Sequence, residues 1–370
     1  MHEMFQSAQH RFRQVARVRM SQIPFIVPST FDPASAFLEF ELGPGAVLNP
    51  DVAVERLYER KETETHVYKL RHPKLTIVLK AYRIRPAKPA MRLASFDIEI
   101  RYLRLFAELV SRGISPHFTL PIGRVVLPAP RLQSLLPDLP PIDPGDYHVI
   151  LSECADESLT QRLRDPRLTG AQLRVLLFQC LYTLAAVQHM FPSFLHNDLH
   201  CSNVLVQRAQ APGTTGAYTR YRDAERRSFY HDLRETPYRV LLWDMYFGSI
   251  SAEDEQRAGL KRVSSERLST HNQYLDVHKL CDSIYSVLCA VQGGRERLGE
   301  SGVFEFLEFT VPDRYQCYHK SLTAKEKAAL NLSAVHHTTP ATLLGHAYFE
   351  PLRVNCSGLC VQKYSVQDFV

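Results

Sequence analysis

The chain has 370 residues, 45% of them hydrophobic and 22% charged, which excludes the apolar-poor composition of disordered proteins and leaves ample material for a folded core. Its formal net charge of +5 is not gathered into one dense block, so nucleic-acid binding is not implied. Eight scattered cysteines without a CxxC pair suit reduced, mostly buried thiols and argue against a disulfide framework or a zinc-thiolate site.

Residues 1–49 combine a basic arm (His2, His10, Arg11, Arg13, Arg17 and Arg19 against Glu3) with a stretch ending in Gly43-Pro44-Gly45, and read as an irregular extension. No apolar segment of the secretory type follows these charges, so a soluble, intracellular protein is expected, with no membrane partner. The runs Val54–Tyr58, Thr65–Leu70 and Leu75–Tyr82, rich in β-branched and aromatic residues and separated by polar turns, predict three antiparallel strands. After Pro86 and Pro89, apolar residues at Leu93, Phe96, Ile100, Leu103, Phe106 and Val110 recur at helical spacing, and Gly113 stops the helix. Prolines crowd between Pro121 and Pro144, which predicts a long irregular surface insertion before a strand over Tyr147–Ser152. Beyond the hinge-like Glu153-Cys154-Ala155-Asp156 the pattern becomes mainly helical, with long helices over Gly170–Met190 and Asp276–Val291. Arg174, Gln179, Gln188 and His189 interrupt the first of these, which suits a buried helix better than a bilayer span. The expected architecture is α+β and bilobal: an extension over 1–49, a β-rich lobe with one main helix over 50–153, a helical lobe over 154–352 and a tail over 353–370.

Three motifs carry chemistry. In His196-Asn197-Asp198-Leu199-His200-Cys201-Ser202-Asn203 a polar loop runs directly into the apolar strand Val204-Leu205-Val206. The loop resembles the H-x-D-x-x-x-x-N pattern of kinase catalytic loops, which implies that Asp198 would accept or orient the proton of an attacking hydroxyl and Asn203 would turn its side-chain oxygen to a magnesium ion beside the phosphates. A second strand, Val240-Leu241-Leu242-Trp243, ends in Asp244, a carboxylate able to chelate magnesium. In the third, Lys80 interrupts the apolar run Thr76-Ile77-Val78-Leu79; a buried ammonium demands a counter-charge, and Glu99 on the following helix offers one.

Taken in this order, these residues resemble the eukaryotic-type protein kinase superfamily, in a divergent form similar to kinases of large DNA viruses and to haspin-like kinases, over roughly residues 50–352. The resemblance extends to Asn272–His278, where Asp276 would brace the catalytic loop, and to Thr339-Pro340…Leu343-Leu344…His346…Phe349 near the end of the helical lobe. It implies a bilobal protein-kinase-like fold, ATP and Mg²⁺ as cofactors, and protein substrates presenting Ser or Thr hydroxyls. Residue by residue it implies that Lys80 and Glu99 position the phosphates, Asp198 handles the hydroxyl, Asn203 and Asp244 hold metal, and Glu153 and Ala155 of the hinge contact the nucleotide. A viral origin, with residence in the host cytoplasm or the virion, is likewise an implication of resemblance.

Several positions depart from the family pattern. The three glycines of its nucleotide-covering loop fall here on Arg60, Glu62 and Thr65, which predicts weakened phosphate cradling. Met245 and Tyr246 follow Asp244 in place of Phe and Gly, and no A-P-E element is present. With Asn197 where an arginine often sits, control by activation-loop phosphorylation is not expected. The segment Gln207–Pro237 is an insertion whose basic residues Arg220, Arg222, Arg226, Arg227 and Arg234, followed by Arg239, read as a solvated loop, with docking of acidic substrate as the sharper reading. Beside a Ser/Thr protein kinase stand two alternatives: a pseudokinase scaffold, and a small-molecule kinase of the aminoglycoside or choline type, whose loop also reads H-x-D-L-H-x-x-N.

Overall fold

A computed structural model describes residues 38–39, 52–60, 65–72, 75–84, 89–136, 142–208, 217–251, 253–254, 272–317, 322–323, 326, 338–354 and 359–366. The basic arm, the stretch through Gly45, Glu62, Pro86 and Cys356 lie outside the described residues, as do the side chains of Leu93 and Phe96. The chain divides into two compact units. One contains the described residues from 38 to 108 and 119–154, the other 109–118 and everything described from Ala155 onward, so one crossing between them falls within the hinge-like segment.

The first unit is built on a six-stranded sheet in the order β1-β5-β6-β4-β3-β2. Its strands are β1 (Leu38–Glu39), β2 (Ala53–Arg60), β3 (Thr65–His72), β4 (Leu75–Arg83), β5 (Pro121–Pro128) and β6 (Asp146–Glu153). All neighbours are antiparallel except β1 and β5. Helix α1 (Pro89–Ser111) follows β4 and buries Ile100, Leu103, Phe106 and Val110, the C-terminal half of the predicted stripe. Strand β4 lies between β3 and β6, so side chains of both faces are enclosed from Ile77 to Ala81. A central strand covered on both sides reads as a continuous apolar run, which is why its one lysine stands out.

The stretch between Pro121 and Pro144, expected to be irregular, contains β5 and the helix α2 (Ala129–Leu135). Three of its prolines fall where the ring is tolerated. Pro121 and Pro128 open and close the strand, and Pro130 sits in the first turn of the helix, where the missing N–H would have no partner anyway. Ala129, Leu132 and Leu135 are buried at helical spacing, a signal the proline count overrode.

In the second unit β7 (Glu157–Ser158) leads into α3 (Leu159–Arg164) and α4 (Gly170–Met190). Both helices open with capping boxes, Ser158 with Gln161 and Thr169 with Gln172. A Cβ on Gly170 would lie 2.2 Å from the Cβ of Ser301, so only glycine permits this approach. From Leu173 to Met190 every residue of α4 is buried except Arg174, Ala185 and His189. The helix is long and apolar enough to cross a membrane by composition, yet its surface is spent on the core, and three of its polar interruptions donate hydrogen bonds within the fold. Gln179 donates to the carbonyl of Tyr238 and accepts from the amide of Val240, Gln188 donates to the carbonyl of Phe194, and Arg174 donates to that of Ser301.

Strands β8 (Val204–Arg208) and β11 (Tyr238–Leu242) pair antiparallel and complete a sheet in the order β11-β8-β7. Between them, the segment 207–237 corrects the expectation of a solvated loop. β9 (Ala217–Arg222) and β10 (Ser228–Asp232) form an antiparallel pair that buries Tyr221 and Phe229. Two of its arginines have structural partners, Arg227 at Asp223 and the carbonyl of Ala341 and Arg234 at Asp232, and Arg239 just beyond the segment reaches Gln207. Residues 359–365 of the tail form β12 (Leu359–Ser365), which pairs parallel with β9 and sets Tyr364 beside Tyr221. Further helices among the described residues are α5 (Tyr274–Ala290), α6 (Gly294–Leu298), α7 (Val303–Thr310) and α8 (Pro340–Leu343), the last capped by Thr339 and followed by a 3₁₀ turn over Ala347–Leu352 that buries Phe349.

Candidate active site

In the first unit the lysine of β4 finds the helix acid. Lys80 Nζ lies 3.1 Å from Oε1 and 3.4 Å from Oε2 of Glu99, and both residues are buried. Tyr82, two residues along the strand and hence on the same face as Lys80, donates its hydroxyl to Glu99 Oε2, while the ammonium stands 4.8 Å from the centre of its ring. The carboxylate is thereby held by two side chains of one strand. Glu153, at the end of β6, accepts the amide of Leu120 at 2.8 Å on its own carboxylate and returns its backbone N–H to the carbonyl of Leu120. Ala155, half-buried, is where the chain passes from the first unit into the second.

In the second unit the loop His196–Asn203 is fixed from beneath by α5. The carboxylate of Asp276, fully buried, accepts the backbone amides of His196 at 2.6 Å and Asn197 at 2.9 Å. Burial raises its pKa above the ordinary 3.8, against the opposing influence of His196 and the two amides. The imidazole of His196 bonds the carbonyl of Trp243 at 2.9 Å. Asn197 takes a left-handed backbone (φ 65°), a conformation asparagine tolerates better than most residues, and its amide donates to the carbonyl of Phe247 and the hydroxyl of Ser249. Where the resembling kinases often have arginine, this side chain ties the loop to the segment following Asp244.

Asp198 then emerges 30% exposed. Asn203 Nδ2 donates to the backbone oxygen of Asp198 at 2.8 Å and lies 3.4 Å from its carboxylate, which leaves the amide oxygen as the acceptor Asn203 can offer elsewhere. The β8–β11 register pairs Val204 with Leu242, and the amide of Trp243 bonds the carbonyl of Asn203 at 3.1 Å. Asn203 and Asp244 therefore come to the same end of one two-stranded ribbon. Asp244 also has a left-handed backbone (φ 64°, ψ 62°) and opens a 3₁₀ turn over Met245–Phe247 whose Met245 is buried. Strain of this kind in a non-glycine residue concentrates at working sites.

Two further groups complete the surroundings of Asp198. His200 Nε2 lies 3.8 Å from Oδ2, and burial lowers its imidazole below the ordinary 6.5 while Asp198 pulls it back upward. Lys279 of α5 donates to the carbonyl of Asn197 and places its ammonium 3.9 Å from Oδ1. Neither Lys279 nor Tyr82 was singled out from sequence. Both carried a trace there: Tyr82 shares the strand face of Lys80, and Lys279 follows Asp276 by three residues on a helix, where side chains share a face.

No protein-family model matches the chain. A protein of Acanthamoeba polyphaga mimivirus, provisionally named as a serine/threonine-protein kinase, is 24% identical over 292 residues. The match covers 70% of this chain and 60% of the relative, so the chain spans less than two thirds of that protein's length. Together with the mixed α+β architecture, β-rich first and helical second, this likeness supports a kinase-like phosphotransferase and a relation to proteins of large DNA viruses.

Proposed function

We propose that the protein transfers the γ-phosphoryl group of ATP to serine or threonine hydroxyls of proteins. The observation that carries the proposal is the loop whose His196 and Asn197 amides are held by Asp276 and whose Asn203 bonds Asp198, with Asp244 brought to the same ribbon end. Asp198 would orient the acceptor hydroxyl and take up its proton as the new oxygen–phosphorus bond forms and the bond to the β-phosphate oxygen breaks, releasing ADP. Asn203 and Asp244, both oxygen donors, suit Mg²⁺, which would neutralise charge on the β- and γ-phosphates. In the first unit the Lys80–Glu99 pair would present a fixed ammonium to the α- and β-phosphates, with Glu153 and Ala155 contacting the adenine ring by analogy with the resembling family. Haspin-like ancestry and the boundaries 50–153 and 154–352 for the two lobes belong to the same proposal.

The test offers labelled ATP and Mg²⁺ with casein, choline or kanamycin to the full chain, beside Asp198→Asn and Lys80→Met. Label on casein serines that falls by roughly 10²-fold or more in both variants is expected. Label on choline or kanamycin alone would replace the proposal with a small-molecule kinase. No turnover, with nucleotide still raising the melting temperature, would make the protein a nucleotide-binding scaffold, the outcome to which the glycine-free positions Arg60, Glu62 and Thr65 point.

A further inference from the structure

The loop from His196 to Asn203 carries no lysine or arginine of its own beside Asp198. The fold brings a lysine to that place from another element. Lys279 lies one helical turn beyond Asp276 on α5, so the helix that clamps the backbone of the loop from below also sends an ammonium up beside it. That ammonium bonds the carbonyl of Asn197 and stands 3.9 Å from Oδ1 of Asp198. An ammonium has three donors, and this side chain is 33% exposed, so donors remain for an incoming group.

We infer that Lys279 is a catalytic residue of this site, its ammonium meeting the equatorial oxygens of the phosphoryl group as it passes toward the hydroxyl held by Asp198. The inference rests on the phosphotransfer proposal above. In such a transfer the charge is spread over three equatorial oxygens, and protein groups act chiefly by position and electrostatics. The Asp198 carboxylate alone would repel the approaching phosphoryl; a cation within 4 Å of it offsets that repulsion without leaving the loop. A lysine serving only as a tether would need its hydrogen bond to Asn197 and not its charge, and the two roles separate by substitution.

The experiment measures kcat and KM with casein and Mg²⁺-ATP for the full chain and for Lys279→Met, Lys279→Gln, Lys279→Arg and Asp198→Asn, with the melting temperature of each. Loss of kcat by roughly 10²-fold in both Met and Gln variants is expected, with KM for ATP nearly unchanged and recovery toward wild type in the Arg variant. Glutamine retains a donor for the Asn197 carbonyl, so full activity in Lys279→Gln assigns the residue to tethering and overturns the inference. Full activity in Lys279→Met, or a loss confined to KM for ATP, overturns it as well. Should the Met variant fail to fold, the contrast between Gln and Arg decides the matter. Wild-type activity in Asp198→Asn would sink the phosphotransfer proposal itself, whereas an inactive Asp198→Asn beside a fully active Lys279→Met sinks only the role of Lys279.

Discussion

An ammonium enclosed in a central strand is stable only if its charge is answered, and Lys80 has Glu99 at 3.1 Å with Tyr82 sharing the same carboxylate. Removing one partner strands the other as an uncompensated buried charge, a loss of about 3–5 kcal/mol. Lys80→Met and Glu99→Gln are each expected to lower stability by that order in urea unfolding. The double variant should lose clearly less than the two losses added, since neither charge is then left alone. Additive losses would show that the two side chains do not interact. Lys80 and Glu99 were legible because each breaks a local pattern or sits on one: a cation in an apolar run, an acid on a helical stripe. The αL backbone of Asn197 and Asp244 left no comparable mark, because asparagine and aspartate occur in many conformations.

Among the elements, the three-stranded sheet of β9, β10 and β12 departs furthest from sequence expectation. The arginines in 207–237 suggest a solvated segment, but Tyr221, Phe229 and Tyr364 point inward, and Arg227 and Arg234 are taken up by carboxylates and a carbonyl. His231 of β10 is buried with them, donating Nε2–H to the carbonyl of Thr236 at 2.5 Å, and burial lowers its pKa from 6.5 to about 4. The unfolded chain therefore binds a proton near pH 6.5 that the folded chain refuses until about pH 4. The stability due to the neutral imidazole is complete above pH 6.5 and is lost as pH falls through that interval, with an upper limit of about 3 kcal/mol. Urea midpoints of wild type and His231→Gln, measured from pH 7 to pH 4, should show a shallower decline in the variant; parallel curves would remove His231 from the acid response. The strands and helices with strong periodicity, such as β4 and α4, were legible in sequence, whereas the proline-rich β5 and α2 were not. Proline marks positions, and only the positions of its neighbours reveal that it stands at an element's ends.

Over the full chain the chemistry is divided: Lys80 and Glu99 belong to the first unit, Asp198, Asn203 and Asp244 to the second. If both sets act on one Mg²⁺-ATP, as proposed, binding must stabilise the native protein by an amount set by ligand concentration, about 2.7 kcal/mol at a hundredfold excess over Kd. Scanning calorimetry is expected to show a melting temperature raised by Mg²⁺-ATP, lowered again by EDTA, and unresponsive in both Lys80→Met and Asp244→Asn. A shift that survives in either variant would mean that the corresponding unit does not contribute to the nucleotide site.

The loop from His196 to Asn203, and a strand lysine followed by an acid on the next helix, could be recognised from the order of residue types, because strand and helix impose short periods on the chain. The clamp from Asp276 was recognisable only through resemblance. What folding alone settled are the contacts between distant stretches: the tail strand against β9, the tyrosine on Glu99, and the ammonium of Lys279 beside Asp198. Such contacts depend on how elements pack, and packing leaves no fixed spacing in sequence from which they could be read.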